Sequence, residues 1–161
     1  PLRARRQFYH TFFAGGAGHT YGAGPIWSMR GNEGNYNCGY TWQQALDFPA
    51  AVQLAQVGKR FLREHKWNEW IPNGAVISRI GEGESLKTGV ITESKDMALV
   101  YFSNNSATEV NNVLGKETTA YWFYPRNGEI KDIPAFSIGE TKDMLPPSSW
   151  EDAILVLKVV E

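Results

Sequence analysis

The chain has 161 residues, of which 42% are hydrophobic and 20% charged, so it can bury a core and does not have the composition of a disordered protein. Its formal net charge is −1, which is not the signature of a nucleic-acid-binding protein. Cys38 is the only cysteine, so neither an internal disulfide nor a cysteine-based zinc site can form. We expect no membrane span, because there is no apolar run of about eighteen residues.

Charge is distributed unevenly along the chain. Residues 1–72 carry eight Lys or Arg and four Asp or Glu, a balance of +4, whereas residues 73–161 carry eight and thirteen, a balance of −5. The acidic part has nothing to neutralise phosphates, so nucleic acid is not an expected partner. Together with Pro72, the change of sign predicts two domains, 1–72 and 73–161.

The first part of the chain reads as helix, strand, loop and helix. Residues 3–14 have aromatic side chains at helical spacing. Either Thr20–Tyr21 or Ile26–Met29 is predicted as a buried strand, and the Gly/Asn-rich residues 30–41 as a loop. Asp47 is predicted to cap a second amphipathic helix of about five turns. This order is typical of the end of a (β/α)₈ barrel.

After residue 73 the hydrophobic period changes to two, which is typical of strands. Asn127–Gly128 indicates a hairpin with a type I′ turn. Seven short strands predict an antiparallel sandwich or barrel. The predicted strands are 75–80, 86–93, 97–103, 107–113, 118–125, 129–136 and 153–160.

Several longer motifs resemble the apiosidase-like glycoside hydrolases, a bacterial group with a (β/α)₈ catalytic domain. The motifs in the first part are RRQFYHTFFAGGAGHTYGAGPIW at residues 5–27 and TWQQALDFPAAVQLAQVGKRFLREHKWNEWIPN at residues 41–73. Residues 75–161 resemble the C-terminal sandwich of the same proteins through DMALVYFSN, AYWFYPRNGEI and PPSSWEDAILVLK. That sandwich is often labelled a "putative collagen-binding domain of a collagenase".

The resemblance implies a mixed fold: a terminal helix–strand–helix piece of a (β/α)₈ barrel, followed by an all-β antiparallel sandwich that supports it. It implies a bacterial enzyme that acts on plant-type polysaccharide in an extracellular or periplasmic location. The two catalytic carboxylates would lie on barrel strands upstream of Pro1, so no catalytic residue is carried over and the chain alone is predicted to be inactive. The expected partners are the carbohydrate substrate and the missing N-terminal barrel portion.

His19, Tyr21 and Trp27 are the candidate substrate-binding residues. In a barrel the ends of strands and the loops after them line the active site, where a Trp can stack on a sugar and a His or Tyr can bond its hydroxyls. Each of the three could equally serve in packing.

No cofactor or metal site is predicted. The segment Gly16–Gly22 lacks the spacing of a nucleotide-binding loop and follows a helix, and no Walker lysine is present. The three histidines do not have metal-ligand spacing.

The consecutive aromatic residues Tyr121 to Tyr124 place Tyr121 and Phe123 on one face of a strand and Trp122 and Tyr124 on the other. One pair is expected in the core, and the other at an interface with the first part of the chain or on an exposed binding platform. Arg5 and Arg6 are predicted on a solvated helix face, the alternative being a pair with an upstream carboxylate. An alternative function is a free-standing, non-catalytic module that binds polysaccharide or collagen.

Overall fold

The structure, a computed structural model, describes residues 1–29 and 39–160. Helix α1 begins the chain, and two short helices lie on either side of the stretch that is not described. A π-helical turn, Gln53–Gly58, joins α4 to α5, so residues 49–64 run as one helical rod. Pro49 at the first position of α4 fixes where the rod begins. The helices are α1 (Leu2–Phe13), α2 (Gly24–Ser28), α3 (Trp42–Leu46), α4 (Pro49–Val52) and α5 (Lys59–Glu64).

The strands form two antiparallel sheets. A six-stranded sheet has the order β1-β2-β3-β8-β5-β6, and β4 pairs with β7 in a small second sheet. Three-residue helical turns at Trp67–Glu69, Gly74–Val76 and Gly83–Ser85 connect the elements around β1 and β2. The strands are β1 (Trp70–Pro72), β2 (Lys87–Thr92), β3 (Met97–Phe102), β4 (Thr108–Asn111), β5 (Thr118–Phe123), β6 (Ile130–Phe136), β7 (Thr141–Met144) and β8 (Ala153–Val159).

The large sheet is covered on both faces. Ala98, Val100 and Phe102 of β3 point into a core shared with the β4–β7 sheet. Met97, Leu99 and Tyr101 of the same strand point the other way, into a core closed by α1 and α5. Every residue of β3 is therefore buried, which explains why its sequence is a continuous apolar run instead of an alternating one.

Most predicted elements of the second part are confirmed, with corrections at its edges. Residues 75–80 do not form a strand, because the turn Gly74–Val76 and a single bridge from Ile77 to Val110 take their place. Strands β1 and β7 were not predicted. The hairpin at Asn127–Gly128 exists, but only Gly128 has positive φ, so the turn is not type I′. The mostly antiparallel architecture agrees with the predicted sandwich.

Two predictions in the first part are wrong. Neither Thr20–Tyr21 nor Ile26–Met29 forms a strand: residues 18–23 have no regular structure, and α2 takes up Ile26. A strand needs a neighbour to bond with, and the described chain offers none there. Asp47 ends α3 instead of capping the next helix, α4, which begins after Phe48 without a side-chain cap. The side-chain cap in this region is Thr41, which caps α3 in a capping box with Gln44. Of the predicted loop 30–41, residues 30–38 lie outside the described residues.

The aromatic run from Tyr121 to Tyr124, which ends one residue beyond β5, has one pair facing each core. Trp122 and Tyr124 lie between the two sheets, where Tyr124 stacks on Trp150 with ring centroids 4.6 Å apart. Phe123 lies against Phe61 of α5, with ring centroids 4.3 Å apart. The expectation that one pair forms an interface with the first part of the chain is confirmed.

The charge of Arg5 is fully buried, contrary to the predicted solvated face. Its Nε and Nη2 donate to the two oxygens of Asp152 at 3.0 and 2.9 Å, and its Nη1 donates to Gln53 at 2.7 Å. The Tyr101 hydroxyl also donates to Asp152, at 3.1 Å. Sequence reasoning missed this pair because the two residues lie 147 positions apart. Arg6 remains half-buried and pairs with Glu84 at 3.1 Å.

His65 makes a second polar link between the rod and the sheet. Its Nδ1 lies 2.7 Å from the Phe61 carbonyl oxygen and its Nε2 lies 2.6 Å from the Tyr121 hydroxyl. A carbonyl only accepts, so Nδ1 carries the proton and Nε2 accepts from Tyr121. Burial lowers the pKa of His65 below its ordinary value, which keeps the ring neutral.

Asp152→Ala is expected to lower the free energy of unfolding by about 3–5 kcal/mol, because it leaves the Arg5 guanidinium buried without its partner. Glu151→Ala is the matched control. Glu151 also accepts from Arg5, but its side chain is 45% exposed, so this change should cost less than about 1 kcal/mol. Urea unfolding measures both, and equal losses would contradict the assignment.

Acid is expected to weaken the interface through His65. Its folded-state pKa is depressed, so this contribution to stability is complete above about pH 6.5, the unfolded value. It is lost as the pH falls from there toward the lower folded-state pKa, because only the unfolded chain takes up a proton in that window. An NMR titration of the His65 imidazole should give a midpoint below 6.5, and a midpoint at or above 6.5 would refute the inference.

Candidate functional site

Two of the three predicted substrate-binding residues share one groove. His19 and Tyr21 lie in the irregular stretch after α1, and both are half-buried. The His19 ring meets Phe8 edge-on with centroids 5.5 Å apart, and its Nδ1 is 3.5 Å from the Thr11 hydroxyl oxygen. Packing on α1 thus fixes where His19 sits.

The groove runs between α1 and the rod 49–64 and encloses about 380 Å³. Phe8 and Phe12 form one wall, at the helical spacing from which the sequence predicted a core face. Lys59 is the one charged residue among the described residues that line it. Its lining is otherwise mostly aromatic and aliphatic: Phe8, Phe12, His19, Tyr21, Ala51, Leu54, Ala55, Lys59 and Leu62.

Gly58 brings the two walls of the groove together. A Cβ at this position would lie 2.8 Å from a ring carbon of Phe8, so only glycine allows the rod to approach α1 this closely. The rod and α1 are therefore in direct contact along one side, and their apolar residues face the groove on the other. The sequence predicts a helix here, but a contact between Gly58 and Phe8, fifty positions apart, leaves no local signal.

Trp27 lies apart from this groove, on α2. Its side chain is 74% exposed. Three more large apolar side chains are exposed nearby in sequence: Met29 by 66%, Tyr40 by 51% and Leu46 by 54%. They lie on both sides of residues 30–38, on or beside two short helices that contact each other. Large apolar side chains that are exposed close together are found at binding sites and interfaces.

Among residues 1–29 and 39–160, carboxylates are not gathered at either surface. Among the described residues that line the groove there is none, and Glu33 lies outside the described part of the chain. Asp47 is exposed at the end of α3, and the Glu69 carboxylate accepts from Ser94 at 3.0 Å. Asp152 is the one buried carboxylate in the described ranges, and it is engaged by Arg5 and Tyr101. Glycoside hydrolysis needs two carboxyl groups about 5 to 9.5 Å apart, and the described residues do not supply such a pair in the groove.

No ion site is evident in the described ranges, where no three His, Cys, Asp or Glu residues come close enough to hold a metal. None of the helices described there is both long enough and apolar enough to cross a membrane.

Two family models match consecutive parts of the chain. The model described as "Apiosidase-like, catalytic domain" matches residues 2–69. The model described as "Putative collagen-binding domain of a collagenase" matches residues 71–158. Both matches confirm the resemblance stated from the sequence motifs. A comparison with curated proteins finds no match.

Solved structures of two glycoside hydrolases superpose on nearly the whole chain. One, described only as a glycoside hydrolase, has a TM-score of 0.88 and 25% sequence identity. The superposition covers 98% of this chain and 36% of the length of the other protein. The other, a glycoside hydrolase family 5 protein from Bacteroides vulgatus, has a TM-score of 0.87 and 22% identity, with the same two coverages. The chain thus spans about a third of the length of the glycoside hydrolases it matches.

Proposed function

The chain belongs to the family described as "Putative collagen-binding domain of a collagenase", and the residues before that domain match the apiosidase-like catalytic domain. We propose that the chain is the C-terminal portion of a bacterial glycoside hydrolase that acts on plant-type polysaccharide. One observation carries this proposal. The two matched parts form a single structure that superposes over 98% of its length on a glycoside hydrolase of which it is 36%.

In this proposal residues 1–72 are the end of a (β/α)₈ barrel, with α1 and the rod 49–64 as its last two helices. Residues 18–23, which pair with no strand among the described residues, would complete a strand once neighbouring strands flank them. The groove between the two helices supports this, because its apolar side chains would otherwise face water. The catalytic carboxylates then belong to strands upstream of Pro1.

Residues 73–161 are proposed to hold the barrel in place instead of binding a ligand of their own. The contacts that support this role are the buried pair of Arg5 with Asp152, the packing of Phe61 on Phe123, and the bond from Tyr121 to His65. The alternative of a free-standing polysaccharide- or collagen-binding module has less support. Both faces of the aromatic run in β5 are covered, which leaves it no exposed platform.

His19, Tyr21 and Trp27 are proposed to contact the substrate. Trp27 supports this most directly, since a largely exposed indole can stack on a sugar ring. His19 and Tyr21 supply groups that can bond hydroxyls. Because a polymeric substrate cannot enter a cell intact, we propose that the protein is extracellular or periplasmic.

Ala55→Asp is expected to weaken association with the upstream barrel portion at least about tenfold, because it places a charge on the rod 49–64, the wall of the groove that this portion would cover. Ala55 is exposed in this chain, so the variant should still fold. Gln56→Asp, on the exposed residue next to it, is the matched control and should associate like the parent. Native mass spectrometry of the two co-expressed pieces measures both, and undiminished association of Ala55→Asp would contradict the proposal.

In the full-length enzyme, His19→Ala and Trp27→Ala are each expected to lower kcat/KM at least about tenfold, through loss of a hydroxyl contact and of a stacking surface. Ile138→Ala removes an apolar side chain that is 66% exposed in the second part of the chain, and it should leave the kinetics unchanged. Parental kinetics in both site variants would remove these residues from the substrate site.

A further inference from the structure

A second concave site lies where α1 and α5 both end. The residues after α1, Gly15 to Ala17, form one side of a cleft of about 270 Å³. Trp67, Asn68 and Trp70, which follow α5, form the other. Gly15 has φ +85° and turns the chain across the end of α1, so the backbone itself forms part of the rim.

The two tryptophans of the cleft have different roles. The Trp70 indole nitrogen donates to the His65 carbonyl oxygen at 2.7 Å, and its ring is buried against Phe13, so it belongs to the wall. The Trp67 ring is half-buried and meets Phe12 edge-on, with centroids 5.3 Å apart. Phe12 thereby holds the orientation of an indole that still reaches solvent.

Trp67 and Asn68, which line the cleft, each carry a side-chain hydrogen-bonding group with no partner among residues 1–29 and 39–160. These groups are the indole N–H of Trp67 and the side-chain amide of Asn68, which is exposed. The amide offers two donors and one acceptor. An aromatic ring beside an unpaired amide and an unpaired N–H is the combination that binds a polyhydroxylated ring, apolar on its face and polar at its edge.

The cleft also selects against charge. None of its described lining residues is ionisable, so none of them would pair with a charged group on a ligand. We propose that this cleft is a secondary carbohydrate site that holds one neutral sugar ring, stacked on Trp67 and bonded to Asn68. Its volume suits one ring, whereas a collagen triple helix would need a longer surface.

The ligand class rests on the proposed function, but the site does not depend on the catalytic residues. The test of this site therefore measures sugar binding to this chain alone and does not measure hydrolysis. In ¹H–¹⁵N NMR spectra, the Trp67 indole signal is assigned by its absence in Trp67→Phe. It should shift saturably when neutral cello-, xylo- or mannotetraose is added. The indole signals of the buried Trp122 and Trp150 should not move.

Two substitutions separate binding from folding. Trp67→Phe keeps a ring and should weaken binding only a few-fold, whereas Asn68→Ala removes an exposed amide and should weaken it about fivefold, the loss of one hydrogen bond. Ile138→Ala should bind as the parent does. The proposal is overturned if no neutral oligosaccharide moves the Trp67 signal, or if an acidic oligogalacturonide or a collagen-like Pro-Pro-Gly peptide moves it and the neutral sugars do not.

Discussion

The structure depends on one buried charge. Arg5 has no exposed surface, and a guanidinium removed from water is tolerated only where carboxylates and other acceptors surround it. Asp152 supplies that partner at the residue before β8, with Tyr101 of β3 and Gln53 of the rod completing the cluster. Burial raises the pKa of Asp152, and the bonds from Arg5 and Tyr101 favour its charged form. Displacing α1 would leave these groups unpaired.

The division between the two family matches therefore does not coincide with a structural gap. Residues 2–69 match one family model and residues 71–158 match the other. Met97 and Leu99 of β3, which belong to the second match, are nevertheless buried because α1 and α5 of the first match cover them. Strand β1 also joins the large sheet, with Trp70 opposite Thr92, so the chain enters the sheet before residue 73. The predicted boundary at Pro72 remains a prediction.

The sequence predicted what is local. Helical spacing identified α1 and the rod, and alternation with turn residues identified six strands to within two residues at most ends. It could not identify what depends on distant partners: the bond from Arg5 to Asp152 joins the ends of the chain, and β7 forms only because β4 lies beside it. The strand expected near Tyr21 fails for the same reason, since nothing in the described chain can pair with it. His19 and Tyr21 do share a groove, but no sequence signal separated them from Trp27.

Hydrogen–deuterium exchange of the chain by mass spectrometry tests most directly whether the two matched parts form one body. Amides of α1, of the rod 49–64 and of strands β3 and β8 should exchange through a common opening with similar protection, because the same buried groups hold them together. In Asp152→Ala, protection should fall in α1 and in the sheet alike. If residues 2–64 exchange at the rate of an unfolded chain while the sheet stays protected, the account is wrong and the sandwich folds without its helices.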